Sequence, residues 1–497
     1  HPARTFDRII LPPSTYAQER AKIEQRWPAA EKFIRERGMN EFLGEGRADV
    51  GIVLQGGLYN TVLRALERLG LADVFGESQI PLYVLNVTYP LVGDEFVRFA
   101  TGKRAILIVE EGQPEFIEQA ASLFLRKADL QTRILGKGPL PMAGEYTGAA
   151  VLAGLRKFLG EFGFLPEQAK PLVPAAQLLS NVPMRPSGLC TGCPERPLFA
   201  SMKLLAREIG PMQVSADIGC HSFATLPPFD IGGSIMGYGL GPASGASFNI
   251  PNRRRALSMM GDGGFWHNGL TSGIGNAVFN KHDGVFLIVD NYYTSATGGQ
   301  DILSSRALNA RRQTNNSIVT AVKGIGAKWV RQIDRTYDVT KMRDTLKEAL
   351  TTKAEGPKII VASSECMLNK QRRVRPLTAK AIAGGERMVK ERFGVDEDIC
   401  TGDHACIRLS GCPSLSVKKL DDPLRDDPVA AIDNSCVGCG NCGEVADAAV
   451  LCPSFYRTDL VHNPNFLDRW MAGMRTKFVA WLQGRRAGRR LGFATAQ

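Results

Sequence analysis

From Asp49 onward, short apolar runs alternate with stretches of helical spacing. Gly51-Ile-Val-Leu-Gln55 is one such run, closed by Gly56-Gly57, and Leu58–Leu69 then carries apolar residues at helical intervals. Strand-like runs recur at Pro81–Val87, Ala105–Val109 and Thr132–Leu135, with a helix predicted at Pro114–Arg126. The alternation predicts an α/β domain over residues 46–145. A second unit reads as strand Ala256–Met260, turn Gly261–Gly264, helix Trp266–Lys281 and strand Val285–Asp290. In that helix Leu270, Ile274, Ala277 and Val278 fall on one face of a 3.6-residue period. A second α/β domain is therefore expected over 187–365. Residues 1–45 read as a charged connector with a helix at Glu19–Arg37. The stretch 146–186, Pro-rich from Pro166, and the basic stretch 366–395 read as linkers. A cysteine-rich module is expected at 396–458 and a basic amphipathic helix, centred on Trp470–Arg490, within 459–497.

Length and composition agree with this division. A chain of 497 residues allows about three domains at ~150 residues each. Hydrophobic content of 44% with 22% charged residues suits packed cores. No run of 18 apolar residues predicts a transmembrane helix, and no secretory signal opens the sequence. The chain begins at His1 rather than Met, so an N-terminal portion is expected to be missing or cleaved. Net charge is +11, but residues 461–497 hold seven Lys/Arg against one Asp and supply +6 of it. No aromatic-interleaved basic motif accompanies that charge, so nucleic acid is not expected. Docking on a partner subunit or a neighbouring domain is the expected role of the helix, with an anionic membrane or cofactor as the alternative.

The cysteines change the picture. Seven of eleven lie between Cys400 and Cys452, several only two residues apart. An odd total with that crowding argues for soft-metal ligation in a reducing, cytoplasmic compartment rather than a disulfide framework. Cys436-x-x-Cys439-x-x-Cys442 is followed by Cys452-Pro453, while Cys400, Cys406 and Cys412-Pro413 approximate a second run. Asp403 stands where that run would carry its second cysteine. In two-cluster ferredoxins the fourth cysteine of each run ligates the other cluster. One 4Fe-4S cluster is thus expected on Cys412, Cys436, Cys439 and Cys442. A second would use Cys400, Asp403, Cys406 and Cys452; carboxylate is a harder ligand than thiolate, so this site is expected to be labile, three-iron, completed by His404 or water, or empty. The ten-residue step from Cys442 to Cys452 is longer than the compact bacterial spacing and implies an insertion.

Gly261-Asp262-Gly263 ends one predicted strand and Asp290-Asn291 ends the next, 29 residues separating Asp262 from Asn291. Ligands of open parallel sheets collect outside the carboxyl ends of strands, so two oxygen-bearing side chains there can converge on Mg²⁺ beside a diphosphate. The glycines leave room for close backbone approach. Cys190-x-x-Cys193 has a rival reading as half of a zinc site, but Cys220-His221 is adjacent rather than spaced, which argues against it. No Gly-x-Gly-x-x-Gly supports NAD or FAD.

Gly261–Asn291 resembles the thiamine diphosphate signature, and the stretch through Gln300 resembles the 2-oxoacid:ferredoxin oxidoreductases, most closely the larger subunit of the indolepyruvate type. Cys190–Pro194, Asp217–Cys220 and Gly237–Gly245 are similar to that family's other cofactor-facing segments. The resemblance implies a transketolase C-terminal-like domain at 46–145, a thiamine diphosphate-binding domain at 187–365 and a bacterial-ferredoxin-like domain at 396–458. It implies Mg²⁺ on Asp262, the Asn291 side chain and the Tyr293 carbonyl. Thr297 and Gly298 would close over the diphosphate, Cys193 and Cys220 would lie near the cofactor rings, and Gly261, Gly263 and Asp217 would complete its cradle. The implied reaction is oxidative decarboxylation of an aryl-pyruvate to the acyl-CoA, with electrons leaving to a ferredoxin-like acceptor. Pyruvate, 2-oxoglutarate and branched-chain oxo acids are alternative substrates. A non-oxidative decarboxylase with structural clusters and a non-catalytic electron-transfer subunit are alternative roles. The pyrimidine-activating Glu of the family belongs to a domain that no segment here resembles. That domain, the smaller subunit and CoA are expected to come from outside this chain, in a hetero-oligomer, and the chain alone is expected to be inactive.

Overall fold

A computed structural model of the chain describes residues 11–44, 48–166, 187–248, 254–306, 314–423, 425 and 427–494. Most of the Pro-rich stretch, 167–186, lies outside the described residues. The chain forms two compact units, one up to residue 184 and one from residue 185.

The first unit holds a five-stranded sheet: β1 (Glu41–Leu43), β2 (Val50–Gln55), β3 (Leu82–Leu85), β4 (Ala105–Val109) and β5 (Arg133–Leu135) in the order β1-β3-β2-β4-β5. Only β1 runs antiparallel to its neighbour. Because alternate strand residues face opposite sides, Ile52, Leu54 and Leu107 enter one core with Leu66 and Val151, while Val53, Ile106 and Ile108 enter another with Phe96 and Ile117. Within the second core Tyr83 donates to Glu95 Oε2 at 2.8 Å, and Asn40 Nδ2 reaches the same oxygen at 3.0 Å. Residues 148–161, read from sequence as linker, form a helix instead. Thr147 caps it, accepting from Ala150 N, and Val151, Leu155 and Phe158 are fully buried against the sheet. That segment's apolar spacing is helical, and the composition-based linker reading overlooked it. The N-terminal helix is continuous from Ser14 to Glu36, with a π-turn at Lys22–Arg26.

The second unit holds a six-stranded, all-parallel sheet: β6 (Val214–Ala216), β7 (Ser234–Ile235), β8 (Leu257–Gly261), β9 (Val285–Asp290), β10 (Trp329–Ile333) and β11 (Lys358–Ser363), in the order β10-β11-β9-β8-β6-β7. The expected turn at Gly261–Gly264 does not form; a helix starts at Asp262, directly after β8. The helical path continues to Phe279 through a π stretch at Phe265–Gly275. Helices Arg196–Ile209 and Val339–Thr351 cover one face of the sheet, burying Phe199, Met202, Met342 and Leu346.

The cysteine-rich module is an approximate internal repeat of strand, cysteine loop, short helix and strand. The first copy runs from β12 (Met388–Val395) through helix Ala405–Ser410 to β13 (Leu415–Lys418). The second runs from β14 (Val429–Ile432) through helix Asn441–Val450 to β15 (Phe455–His462). The copies interlock, β12 pairing antiparallel with β15 and β13 with β14. Residues 388–395, assigned to a linker from their basic composition, are therefore a strand of this module. The rest of that stretch is largely helix Met367–Ala383. The terminal helix begins at Phe466, because β15 occupies 455–462. Leu409 and Val445 pack on Ala200, Leu204 and Val339, joining the module to the six-stranded sheet's helices.

Candidate functional site

β8 and β9 are adjacent and parallel, so Asp262 and Asn291 emerge side by side at their carboxyl ends. Both are buried, Asp262 at 1% exposure and Asn291 at 6%. Asp262 Oδ1 accepts from Gly263 N at 2.8 Å, while Oδ2 has no hydrogen-bond partner. Burial, reinforced by Asp290, pushes this carboxyl well above its ordinary range. A buried carboxylate oxygen without a partner is costly and is the feature a cation would satisfy. Ser295 Oγ donates to Asn291 Oδ1 at 2.8 Å and lies 3.3 Å from the Tyr293 carbonyl, so both oxygens meet at the Ser295 hydroxyl, in the pocket that Asp262 also lines. An all-oxygen set of carboxylate, carboxamide and carbonyl suits Mg²⁺.

The same pocket is lined by Glu195, Gly219, Cys220, His221, Tyr238 and Gly261. Asp217, expected to face the cofactor, stands behind the wall. Its Oδ2 accepts from Gly239 N at 2.7 Å, and Oδ1 lies 2.6 Å from His221 Nε2. Burial disfavours a charged imidazole, yet Asp217 and Glu195 hold His221 above its ordinary pKa. Gly263 is required by packing rather than as an open cradle: a Cβ there would collide with the Tyr238 hydroxyl. Thr297 and Gly298 are exposed and outside the lining; Thr297 bonds Gln300 at 2.8 Å, and the Gly298 carbonyl accepts from Arg372.

Beyond this wall lies an apolar chamber whose lining includes Cys190, Cys193, Cys220 and Cys366. It shares Glu195, Cys220, Asn291 and Ser295 with the first pocket. Burial pushes the Cys193 thiol well up, and burial then Glu195 raise that of Cys220. Cys193 thus faces the sulfur chamber rather than the oxygen pocket, and only Cys220 lines both. Cys366 was missed from sequence because it follows β11, far along the chain. Its place after a strand neighbouring β9 was the available signal.

A second chamber gathers Cys412, Cys436, Cys439 and Cys442 with Thr191, Gly192 and Arg196. Burial pushes Cys439 up to about 11, with Cys412 and Cys436 adding to it. Cys406 is likewise raised to about 11 by burial, then by Cys400, Cys452 and Asp403 beside it. Asp403 Oδ1 accepts from Ala405 N at 2.9 Å, the start of that copy's helix. Cys412 and Cys452 hold equivalent places, with Ser414 and Ser454 hydroxyls 3.2 and 3.0 Å from their sulfurs. Among the described residues no three His, Cys, Asp or Glu side chains are grouped so as to hold a metal ion. A 4Fe-4S cluster places each thiolate on a different iron, so its ligands surround a chamber rather than a point, and the chambers here have that form. All eleven cysteines are free thiols.

The two chambers touch. Gly192, at φ +69°, approaches so closely that a Cβ would overlap Val437 and lie 3.6 Å from Cys439 Sγ. Arg196, 3% exposed, donates to the carbonyls of Cys190 at 3.0 Å and Ser410 at 3.1 Å, and to those of Leu189 and Gly411.

Residues 217–362 match the family model described as thiamine pyrophosphate enzyme, C-terminal TPP binding domain. The chain is 29% identical over 453 residues to the indolepyruvate oxidoreductase subunit IorA of Pyrococcus abyssi, covering 86% of this chain and 64% of the relative. It is also 29% identical over 422 residues to the subunit of that name from Thermococcus kodakarensis, covering 81% and 60%. The chain is thus like the alpha subunits of 2-oxoacid:ferredoxin oxidoreductases, and it spans less than two thirds of the length of these two relatives. A solved 2-oxoglutarate:ferredoxin oxidoreductase from Magnetococcus marinus aligns over 37% of this chain and 66% of its own, with 17% identity and a TM-score of 0.32, too slight a likeness to support a reading.

Proposed function

We propose that this chain is the thiamine diphosphate and electron-transfer part of an oxidoreductase that decarboxylates an aryl-pyruvate of the indolepyruvate kind. The overall reaction would convert a 2-oxo acid, CoA and two oxidised one-electron acceptors to acyl-CoA, CO₂, a proton and two reduced acceptors. The observation that carries the proposal is the contact between three sites. The oxygen pocket shares Glu195, Cys220, Asn291 and Ser295 with the first sulfur chamber, and that chamber's loop meets Cys439 of the second at Gly192.

Asp262, Asn291 and the Tyr293 carbonyl would hold Mg²⁺. When bound, thiamine diphosphate supplies a carbanion nucleophile for the ketone carbonyl and an electron sink for the pair left by departing CO₂. Asp217 fixes His221 in the pocket wall. The apolar lining of the first sulfur chamber keeps water from the route that electrons would take. Cys412, Cys436, Cys439 and Cys442 would hold one 4Fe-4S cluster, and Cys190, Cys193, Cys220 and Cys366 another beside the pocket. Cys400, Cys406 and Cys452 with Asp403 would form a third, harder site. A cytoplasmic, reducing compartment suits these free thiols. A pyrimidine-binding domain bearing the activating Glu, a smaller subunit and a ferredoxin-like acceptor would complete the hetero-oligomer.

The substrate assignment follows the relatives' names. The test is an anaerobic assay with the complementing polypeptides, thiamine diphosphate, Mg²⁺ and CoA. Indolepyruvate, phenylpyruvate, pyruvate and 2-oxoglutarate are compared by reduction of a viologen dye. Fastest dye reduction with an aryl-pyruvate is expected. CO₂ release without dye reduction would instead identify a non-oxidative decarboxylase.

A further inference from the structure

We infer that the helix Phe466–Ala494 lies on the surface of an anionic lipid bilayer. This inference stands apart from the proposed reaction. Every described side chain from Arg469 to Gly488 is exposed, as in a helix with solvent on all sides. Trp470, Met471, Met474, Phe478, Trp481 and Leu482 nevertheless form one stripe about 120° wide at 100° per residue. Each is 45–60% exposed. A contiguous apolar patch of this kind marks an interaction surface.

Charge decides what covers it. The helix carries seven Lys/Arg and one acid, Asp468. That acid is already engaged: Arg387 holds it in a bidentate pair at 2.6 and 2.7 Å. Its backbone N–H also donates to Asn465 Oδ1 at 2.8 Å, capping the helix start. Among the described residues Arg475, Lys477, Arg485 and Arg486 make no ion pair. On a helical projection Lys477 borders one edge of the stripe and Arg475 and Arg486 the other. Arg485 leans over Trp481, 4.9 Å from its ring centre. The opposite face carries the small or neutral residues Ala472, Gly473, Thr476, Ala480 and Gln483, with Arg469 among them.

Cations flanking an aromatic stripe place their arms at phosphate depth while the rings enter the acyl boundary. Trp470 and Trp481, both on the stripe, suit the same interface. A second copy of the helix would instead oppose like charges with no acids to pair them. Among the described residues no helix is long and apolar enough to cross a membrane, so the helix would lie in the interfacial plane.

The test uses the full chain in flotation with phosphatidylcholine vesicles and with vesicles also containing phosphatidylglycerol. Binding to the anionic vesicles should be at least about tenfold tighter, weaken as salt rises, and shift tryptophan emission to the blue. Trp470→Ser with Trp481→Ser should abolish it. Arg475→Glu with Lys477→Glu and Arg486→Glu should remove the preference for anionic lipid. The melting temperature of all variants should stay unchanged, because the ring contacts of Trp481, with Phe478 and Arg485, lie within the same exposed helix. Equal or absent binding to both vesicle types overturns the inference. So does a dimer in solution that the tryptophan substitutions dissolve, or an acidic protein partner that masks the stripe and displaces vesicles.

Discussion

Tyr337 donates its hydroxyl hydrogen to the carbonyl of Gly192 at 2.6 Å, fastening the Cys190–Cys193 loop where it meets Cys439. Gly192→Ala would force a side chain into left-handed backbone against Val437. The expected loss is about 2–4 kcal/mol in denaturant melts. Tyr337→Phe keeps the ring and leaves a buried carbonyl unpaired, for about 1–2 kcal/mol. Equal stability of Gly192→Ala and the natural chain would show that the two loops do not meet there.

Asp262→Asn is expected to move two properties in opposite directions. Replacing a buried carboxyl that has one unpartnered oxygen should leave the ligand-free chain at least as stable in thermal melts. Mg²⁺-dependent binding of thiamine diphosphate, followed by calorimetry, should weaken by about a hundredfold, since a hard cation loses its one carboxylate. A purely structural Asp262 would instead lose stability and leave affinity alone.

Arg196 is the hub between the six-stranded sheet's first helix and the cysteine module, serving carbonyls at Leu189, Cys190, Ser410 and Gly411. Arg196→Met fills similar volume but leaves those acceptors buried. Destabilisation of about 3–5 kcal/mol is expected, with protease cutting first in 396–458. A uniform loss across both units would count against this local role.

The cysteine sets separate by iron analysis. Cys439→Ser and Cys366→Ser should each remove about four iron per chain, and the double variant about eight. Asp403→Cys should raise iron content or the stability of the third site toward oxygen. Iron content indifferent to Cys366→Ser would remove the chamber beside the oxygen pocket from the electron route.

Alkaline pH isolates Tyr83. Burial, and then Glu95 beside it, raise its pKa above the ordinary value of 10. The protonated phenol's contribution is therefore complete below pH 10. It declines as pH rises further, because the unfolded chain ionises first. Tyr83→Phe should cost about 1–2 kcal/mol at pH 8. The gap to the natural chain should narrow above pH 10, measured by urea melts; a gap constant with pH would contradict the linkage.

Four strands of the first sheet, β8 and β9 of the second, the Asp262–Asn291 pair and the cysteine runs of 396–458 were legible because each is written in local spacing; the short or edge strands β1, β6, β7 and β10, and β11, were not read. Apolar alternation and a βαβ connection place Asp262 and Asn291 on neighbouring strand ends without knowledge of the rest of the fold. Where composition stood in for periodicity, at 148–161 and 388–395, the reading missed a helix and a strand.

What the sequence by itself determined was which residues can do chemistry: an oxygen pair at adjacent strand ends, thiols two residues apart, and cations along an aromatic helix. Only the tertiary structure decided which of them meet. Cys366 reaches Cys220 across 146 residues of chain, Asp217 turns away from the pocket it was expected to line, and Gly192 brings two sulfur chambers together. Such meetings depend on strand order and on loops closed by burial of distant apolar faces, and no local spacing records them.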